Sequence, residues 1–376
     1  MVPAAARSFA PSAERGGPLD LLRFAAAILI VLYHYAVAAP VDVTRLHPAL
    51  TRGYLATDFF LILSGYVLAK AYGRRLLEGR STALQVVSRR WRRIWPGHAV
   101  MMLTFLAFVT ASTALGHAPN RPLDYQPADF LAQLFLVQAW GAPVGTGWNF
   151  PTWSLSALFV CYAVFPFAWR LAARSPAAGV AAAGLLLVMA VDAWAEVALG
   201  GPMFQLPYFL GVVRALPLFL FGLGLARVTE DHPVPRAWAD AVWTLALAGL
   251  AAVQLLGRGD LVSMVLIGLI IVGCGSIQGR RGSPVVGYLA RLSFSLFLTH
   301  ILTAAIWFNV VGRLFAGGSA AERWLAWAAS VPAALGVAAL FHHLIDQPLQ
   351  TIIATAIRSG RERRAAPREP AKQPAA

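Results

Sequence analysis

The stretch Leu21–Tyr35 reads LLRFAAAILIVLYHY. It is apolar enough to form the heart of a membrane-spanning helix, yet it carries Arg23 and His34. An ionisable side chain at the centre of a bilayer costs about 2.5–3.5 kcal/mol or more, so such residues mark function by default. The spacing matters too. Eleven steps of about 100° come nearly full circle, so both side chains share one helix face, about 16 Å apart along the axis. That face offers a fixed cation near one end and a titratable imidazole about three turns further along. It suits a ligand with an anionic part on one side of the membrane and a reacting part deeper in.

Outward from this stretch, the whole chain reads as a membrane protein. Its 376 residues are 58% hydrophobic and 13% charged, with a mean hydropathy of +0.63. Soluble domains carry about 25% charged residues. Ten segments have roughly the 20-residue length that a ~30 Å hydrocarbon core demands. They lie near 19–38, 54–72, 95–116, 153–173, 178–199, 206–227, 238–256, 261–277, 288–311 and 324–345, the eighth being short. The expected fold is all-α: a polytopic bundle of about ten transmembrane helices spanning 19–350. A segment 1–18 precedes it, and a disordered tail 351–376 follows. Residues 129–140 (DFLAQLFLVQAW) are apolar but too short to cross, and read as an interfacial or re-entrant helix.

Cationic residues set the orientation. With both termini cytoplasmic, 23 Lys and Arg fall on inside segments and six in outside loops; the remaining two of the 31, Arg23 and Arg214, lie at membrane depth. This is the positive-inside asymmetry. It puts the loop near Arg80 inside and the loop near Asn120 outside. It also accounts for the net charge of +14 and the pI of about 10.8 without a nucleic-acid partner. Arg7, Arg15 and the run ending in AVAAP resemble a signal peptide, but Arg23 interrupts the apolar core and many spans follow. Cys161 and Cys274 lie in apolar stretches, so no disulfide is expected.

Several side chains are candidates for chemistry. His34 and Asp58 should lie at similar depth in the outer half of neighbouring spans. Paired, they would make a general base with a fixed tautomer; unpaired, each would bond to backbone or water. Ser64, beside Gly65, reads more readily as a helix-contact residue than as a nucleophile. Arg89, Arg90, Arg92 and Arg93, in SRRWRRIWP, anchor the inside edge with Trp91 and Trp95. The same arginines could clamp phosphates through their planar forks. Arg214, in mid-span, requires an anion or a water-filled cavity. Asp192 and Glu196 share a face of the fifth span, towards the outside, where they could bind a polar acceptor or simply sit at the wet end of the helix. His300 lies in the ninth. No His, Cys or Glu spacing suggests a metal site.

With these residues in view, the chain resembles acyltransferase family three, membrane-bound enzymes that O-acylate bacterial surface polysaccharides and related molecules. Arg23 and His34 match its first-span Arg–ten residues–His motif. Asp58–Tyr66 (DFFLILSGY) resembles its Asp-Phe-Phe and Ser-Gly-Phe element, and Arg93–Pro96 (RIWP) its basic loop. Trp153, Ser154, Leu155 and Ser156 (WSLS), with Phe165 and Pro166, resemble its fourth-span signature. Leu292–His300 (LSFSLFLTH) and Asp346-Gln347-Pro348 match its later segments in order. One departure stands out. After WSLS the family continues Val-Glu, whereas Ala157, Leu158 and Phe159 follow here. The chain therefore manages without that carboxylate, uses a different acceptor, or is less active.

The resemblance implies a standalone ten-span acyltransferase in the bacterial cytoplasmic (inner) membrane. It implies no bound cofactor, with acyl-CoA, most simply acetyl-CoA, as co-substrate from the cytoplasm. His34 and Asp58 would be catalytic, His34 acting as base or nucleophile; Arg23, Arg90, Arg92 and Arg93 would bind the donor. Ser64, Trp153, Ser154, Arg214 and His300 are further candidates. The acceptor would be a hydroxyl of a surface glycan or lipid-linked sugar. Alternatives are a small lipid, macrolide or peptidoglycan acceptor, or a transporter without chemistry.

Overall fold

The computed structural model describes residues 16–119, 121–143, 145, 147–277 and 282–365, with side chains through Ser359; Asn120 lies outside this set. Twelve helices are described: α1 Pro18–Tyr35, α2 Leu55–Leu77, α3 Ala83–Ala114, α4 Pro127–Leu134, α5 Trp153–Ala172, α6 Ala177–Leu199, α7 Gly211–Asp231, α8 Arg236–Leu255, α9 Asp260–Ser276, α10 Pro284–Leu314, α11 Ala320–Phe341 and α12 Gln347–Ala365. There is no strand among the described residues. Nine helical stretches are long and apolar enough to cross a membrane, and α9, with 17 residues, is the short tenth. The protein is an all-α polytopic membrane protein.

Local chemistry explains where these helices start. Pro18 opens α1, where a missing N–H costs nothing. Asp20 in the first turn accepts from the Gly16 N–H at 2.7 Å. Capping boxes start α3 (Thr82 with Gln85) and α11 (Ser319 with Glu322). The first of these explains a difference from expectation. Because α3 begins at Ala83, the basic segment Arg89–Pro96 is helical rather than a loop. The apolar run at 129–140 is helical only across α4. Leu136 then takes a left-handed φ of 57°, a conformation a buried side chain must hold in place. The segment from 351, expected to be disordered, is helical as far as Ala365.

Small residues build the centre of the bundle. A Cβ on Gly65 would collide with the Phe219 carbonyl, and one on Gly222 with the Ile62 carbonyl. The α2 and α7 backbones thus touch directly, which in lipid replaces hydrophobic association as the source of packing. Ser64, one residue away, donates to the Phe60 carbonyl of its own helix at 2.7 Å. Gly184 lies against the Phe221 backbone and Gly224 against the Ala181 backbone, seating α6 on α7. Helices α2, α5 and α7 are mostly buried, whereas α6 and α8 are mostly exposed and form the periphery.

The ten long helices alternate between two ends. At one end the Ser283 N–H donates to the Gly16 carbonyl, and Gln350 on α12 donates to the Arg92 and Arg93 carbonyls. At the other end, Gly257 packs on Pro48, and the Gly141 N–H donates to the Phe209 carbonyl. The first is the arginine-rich end; the second carries the site.

Candidate active site

His34 sits one residue before the end of α1, where α1 lies against α10. Its Nδ1 is 2.9 Å from Nε2 of His300, with the rings stacked 5.0 Å apart. Nδ1 of His300 is 2.8 Å from the Phe297 carbonyl. The Tyr35 hydroxyl donates to the His300 carbonyl at 2.9 Å, fixing the two helices in register. Phe150 meets the His34 ring edge-on at 5.3 Å.

A cavity of about 810 Å³ opens beside His34. Tyr33, Tyr54, Trp153, Phe204, Tyr208 and Phe297 contribute aromatic faces to its walls. Arg214 and Arg52 also line it, and Asp192, Glu196, Arg258 and Asp260 add polar groups. A concave space in which aromatic faces meet convergent polar groups is a common form of a small-ligand site. It lies at the end opposite the arginine-rich edge.

The expected His34–Asp58 dyad does not form. Asp58 is fully buried, and Arg214 occupies both its oxygens, Nε to Oδ1 at 2.9 Å and Nη2 to Oδ2 at 3.0 Å. A buried carboxylate needs an opposite charge, and a guanidinium fork satisfies both oxygens at once, which an imidazole cannot do. Arg214 also donates to the Phe204 carbonyl at 2.8 Å and lies over the rings of Trp153 (5.4 Å) and Tyr54 (5.7 Å). Arg214 therefore has its anion, as its depth required, but that anion belongs to the protein. Trp153 is a cavity wall, while Ser154 donates to the Pro151 carbonyl at the start of α5.

Sequence reasoning missed Arg52 and Asp260. Arg52, counted among the loop cations, is buried; it donates to Gln254 at 2.8 Å and to Asp260 at 2.6 Å. The Tyr54 hydroxyl donates to the same Asp260 oxygen at 2.9 Å. Burial first, and the Asp260 charge second, push the Tyr54 phenol up, so it stays a donor. Nothing in the local sequence could have paired residues 52 and 260.

At the arginine-rich end the expected donor residues face different partners. Arg93 reaches Asp346 through both terminal nitrogens, at 2.6 and 3.1 Å, and lies 4.9 Å over Phe294. Arg92 donates to Ser88 on its own helix, and Arg90 lies between the rings of Tyr72 and Tyr162. Arg23 pairs with Asp20 at 3.3 Å. The four therefore do not form one open clamp. Asp346 ends a π-helical turn, His342–Asp346, joining α11 to α12. Where the family places a glutamate, Leu158 and its neighbours are buried, and Phe159 packs edge-on to Trp91 at 5.1 Å.

A multi-span helical bundle with a histidine, backed by a second, on the wall of an open cavity with aromatic faces fits a membrane-embedded transferase, and the comparisons specify which. The chain belongs to acyltransferase family three: the family described as "Acyltransferase domain" matches residues 18–343. It is an acyltransferase, working in a lipid bilayer on an acyl donor and an acceptor. It is 28% identical to acyltransferase MdmB of Streptomyces mycarofaciens over 91% of this chain and 94% of that protein. It is 36% identical to protein 2 in the picA locus of Rhizobium radiobacter over 27% of this chain and 50% of that protein. No solved structure matches.

Proposed function

We propose that the protein transfers an acetyl group from cytoplasmic acetyl-CoA to a hydroxyl of a surface glycan or lipid-linked sugar in the bacterial inner membrane. The observation that carries this is the position of His34 on the wall of the aromatic cavity, opposite the arginine-rich end. Aromatic walls suit the flat apolar faces of sugar rings, and Asp192 and Glu196 suit hydroxyls at its mouth. The positive-inside bias supports a cavity that opens outwards and a donor that arrives at the arginines.

In this reading His34 is the general base. It takes the proton of the acceptor hydroxyl as that oxygen attacks the thioester carbonyl. The C–O bond forms, the C–S bond breaks, and the departing CoA thiolate recovers the proton from the imidazolium. Arg90, Arg92, Arg93 and Arg23 supply the charge that attracts the CoA phosphates. Mass spectrometry of surface glycans from a deletion strain and its parent tests the acceptor. Loss of ester-linked acetyl groups is expected; unchanged glycans with altered small lipids or secondary metabolites would move the acceptor to those classes.

A further inference from the structure

The two histidines on α1 and α10 form a directional chain. A backbone carbonyl oxygen only accepts hydrogen bonds, so the nitrogen facing it must carry hydrogen. Nδ1 of His300, 2.8 Å from the Phe297 carbonyl, is therefore the protonated nitrogen. The His300 ring is fully enclosed, and its two nitrogens meet a neutral carbonyl and another imidazole. Charging a ring so enclosed is expensive, which leaves Nε2 of His300 as a bare acceptor. Across 2.9 Å stands Nδ1 of His34, which must then be the donor. The lone pair of His34 is left on Nε2, on the ring that lines the cavity.

We infer that His300 is a positioning residue for acyl transfer: its Nε2 accepts from His34 and holds the bare nitrogen of His34 ready for the acceptor proton. This rests on His34 being the base. A carboxylate does this task in many hydrolytic triads, where the wrong imidazole tautomer costs about 10⁴ in kcat. Here the orienting group is a neutral imidazole anchored on a main-chain carbonyl. Asp58, the carboxylate expected in that role, is taken by Arg214. As His34 gains its second proton, the charge is shared with a neighbouring ring rather than with an anion. The Tyr35 bond to the His300 carbonyl keeps the two rings aligned.

The test uses full-length protein in membrane vesicles of its own strain, with radiolabelled acetyl-CoA and alkali-labile label as readout. His300→Phe keeps a stacked ring but removes the acceptor; His300→Gln removes the ring but keeps an acceptor oxygen. At equal abundance, His300→Phe should lower kcat about 10²-fold with the KM for acetyl-CoA within about twofold, while His300→Gln stays within about tenfold of wild type. A merely structural role predicts the opposite order, with Phe the better tolerated, and that order would overturn the inference. Should His300→Phe fail to accumulate, His300→Leu replaces it as the variant without an acceptor. His34→Ala separates the two ideas. If it is inactive while His300→Phe equals wild type, only the positioning role fails; if it is active, the base assignment fails first.

Discussion

Arg214 on α7 and Asp58 on α2 hold each other through two parallel hydrogen bonds, 2.9 and 3.0 Å long, beneath the cavity that His34 lines. The pair joins the same two helices whose backbones touch further along through Gly65 and Gly222. With Trp153 and Tyr54 over the guanidinium, it makes a rigid floor to the site. Its role is to shape the cavity rather than to move the reaction's proton.

Asp58→Ala should therefore act on stability first. Removing one partner strands a buried charge and costs about 3–5 kcal/mol, whereas replacing both by apolar residues of similar volume is much milder. Thermal unfolding in detergent should show a large loss for Asp58→Ala and a substantial recovery in the Asp58→Leu, Arg214→Met double variant. Wild-type stability in Asp58→Ala, with transfer alone abolished, would return Asp58 to the catalytic group.

His34→Ala should lower acetyl transfer by about 10²–10⁴-fold, the range general bases contribute, while inserting normally. His34 is only half-buried and, among the described residues, hydrogen-bonds to His300 alone, so the fold should tolerate its loss. Transfer rate at matched membrane abundance decides this. A rate equal to wild type rules out His34 as the base.

The Arg93–Asp346 pair is asymmetric. Asp346 is 1% exposed, but the Arg93 side chain is 41% exposed. Arg93→Ala leaves an enclosed carboxylate with the His342 ring 3.6 Å away, whereas Asp346→Asn leaves a guanidinium that water can solvate. Arg93→Ala should thus be the more destabilising by roughly 1–3 kcal/mol. In the Arg90→Lys, Arg92→Lys, Arg93→Lys triple variant, the KM for acetyl-CoA should rise, because Lys keeps charge but loses the fork. An unchanged KM in a well-inserted triple variant would argue for anchoring alone.

Orientation can be read directly. Single cysteines at Arg80 and His117, in a background without Cys161 and Cys274, should react differently with a membrane-impermeant thiol reagent. Both native cysteines are buried, so removing them leaves the labelled surfaces intact. Labelling at 117 but not 80 in intact cells is expected from the charge bias. The reverse pattern would put the cavity in the cytoplasm and remove the case for a donor entering at the arginine-rich edge.

By itself the sequence determined the class of fold. Span length and apolar content are local quantities, so ten spans, their order and the short eighth span (α9) could be read directly from the chain. It also singled out His34, because an ionisable residue within an apolar run stands out without knowledge of its neighbours. The basic segment was visible, but its helical start was not, since that depended on the Thr82–Gln85 capping box. Partnership was decided only by tertiary structure. His34 and His300 lie 266 residues apart, Asp58 and Arg214 156, Arg52 and Asp260 208. His34, His300, Asp58 and Arg214 were legible as polar residues in apolar runs, Arg52 and Asp260 were not, and none carried a mark of its partner. Buried charge must be compensated, but which charge meets which depends on helix register and crossing, and in this bundle those are set by where glycine lets two backbones touch.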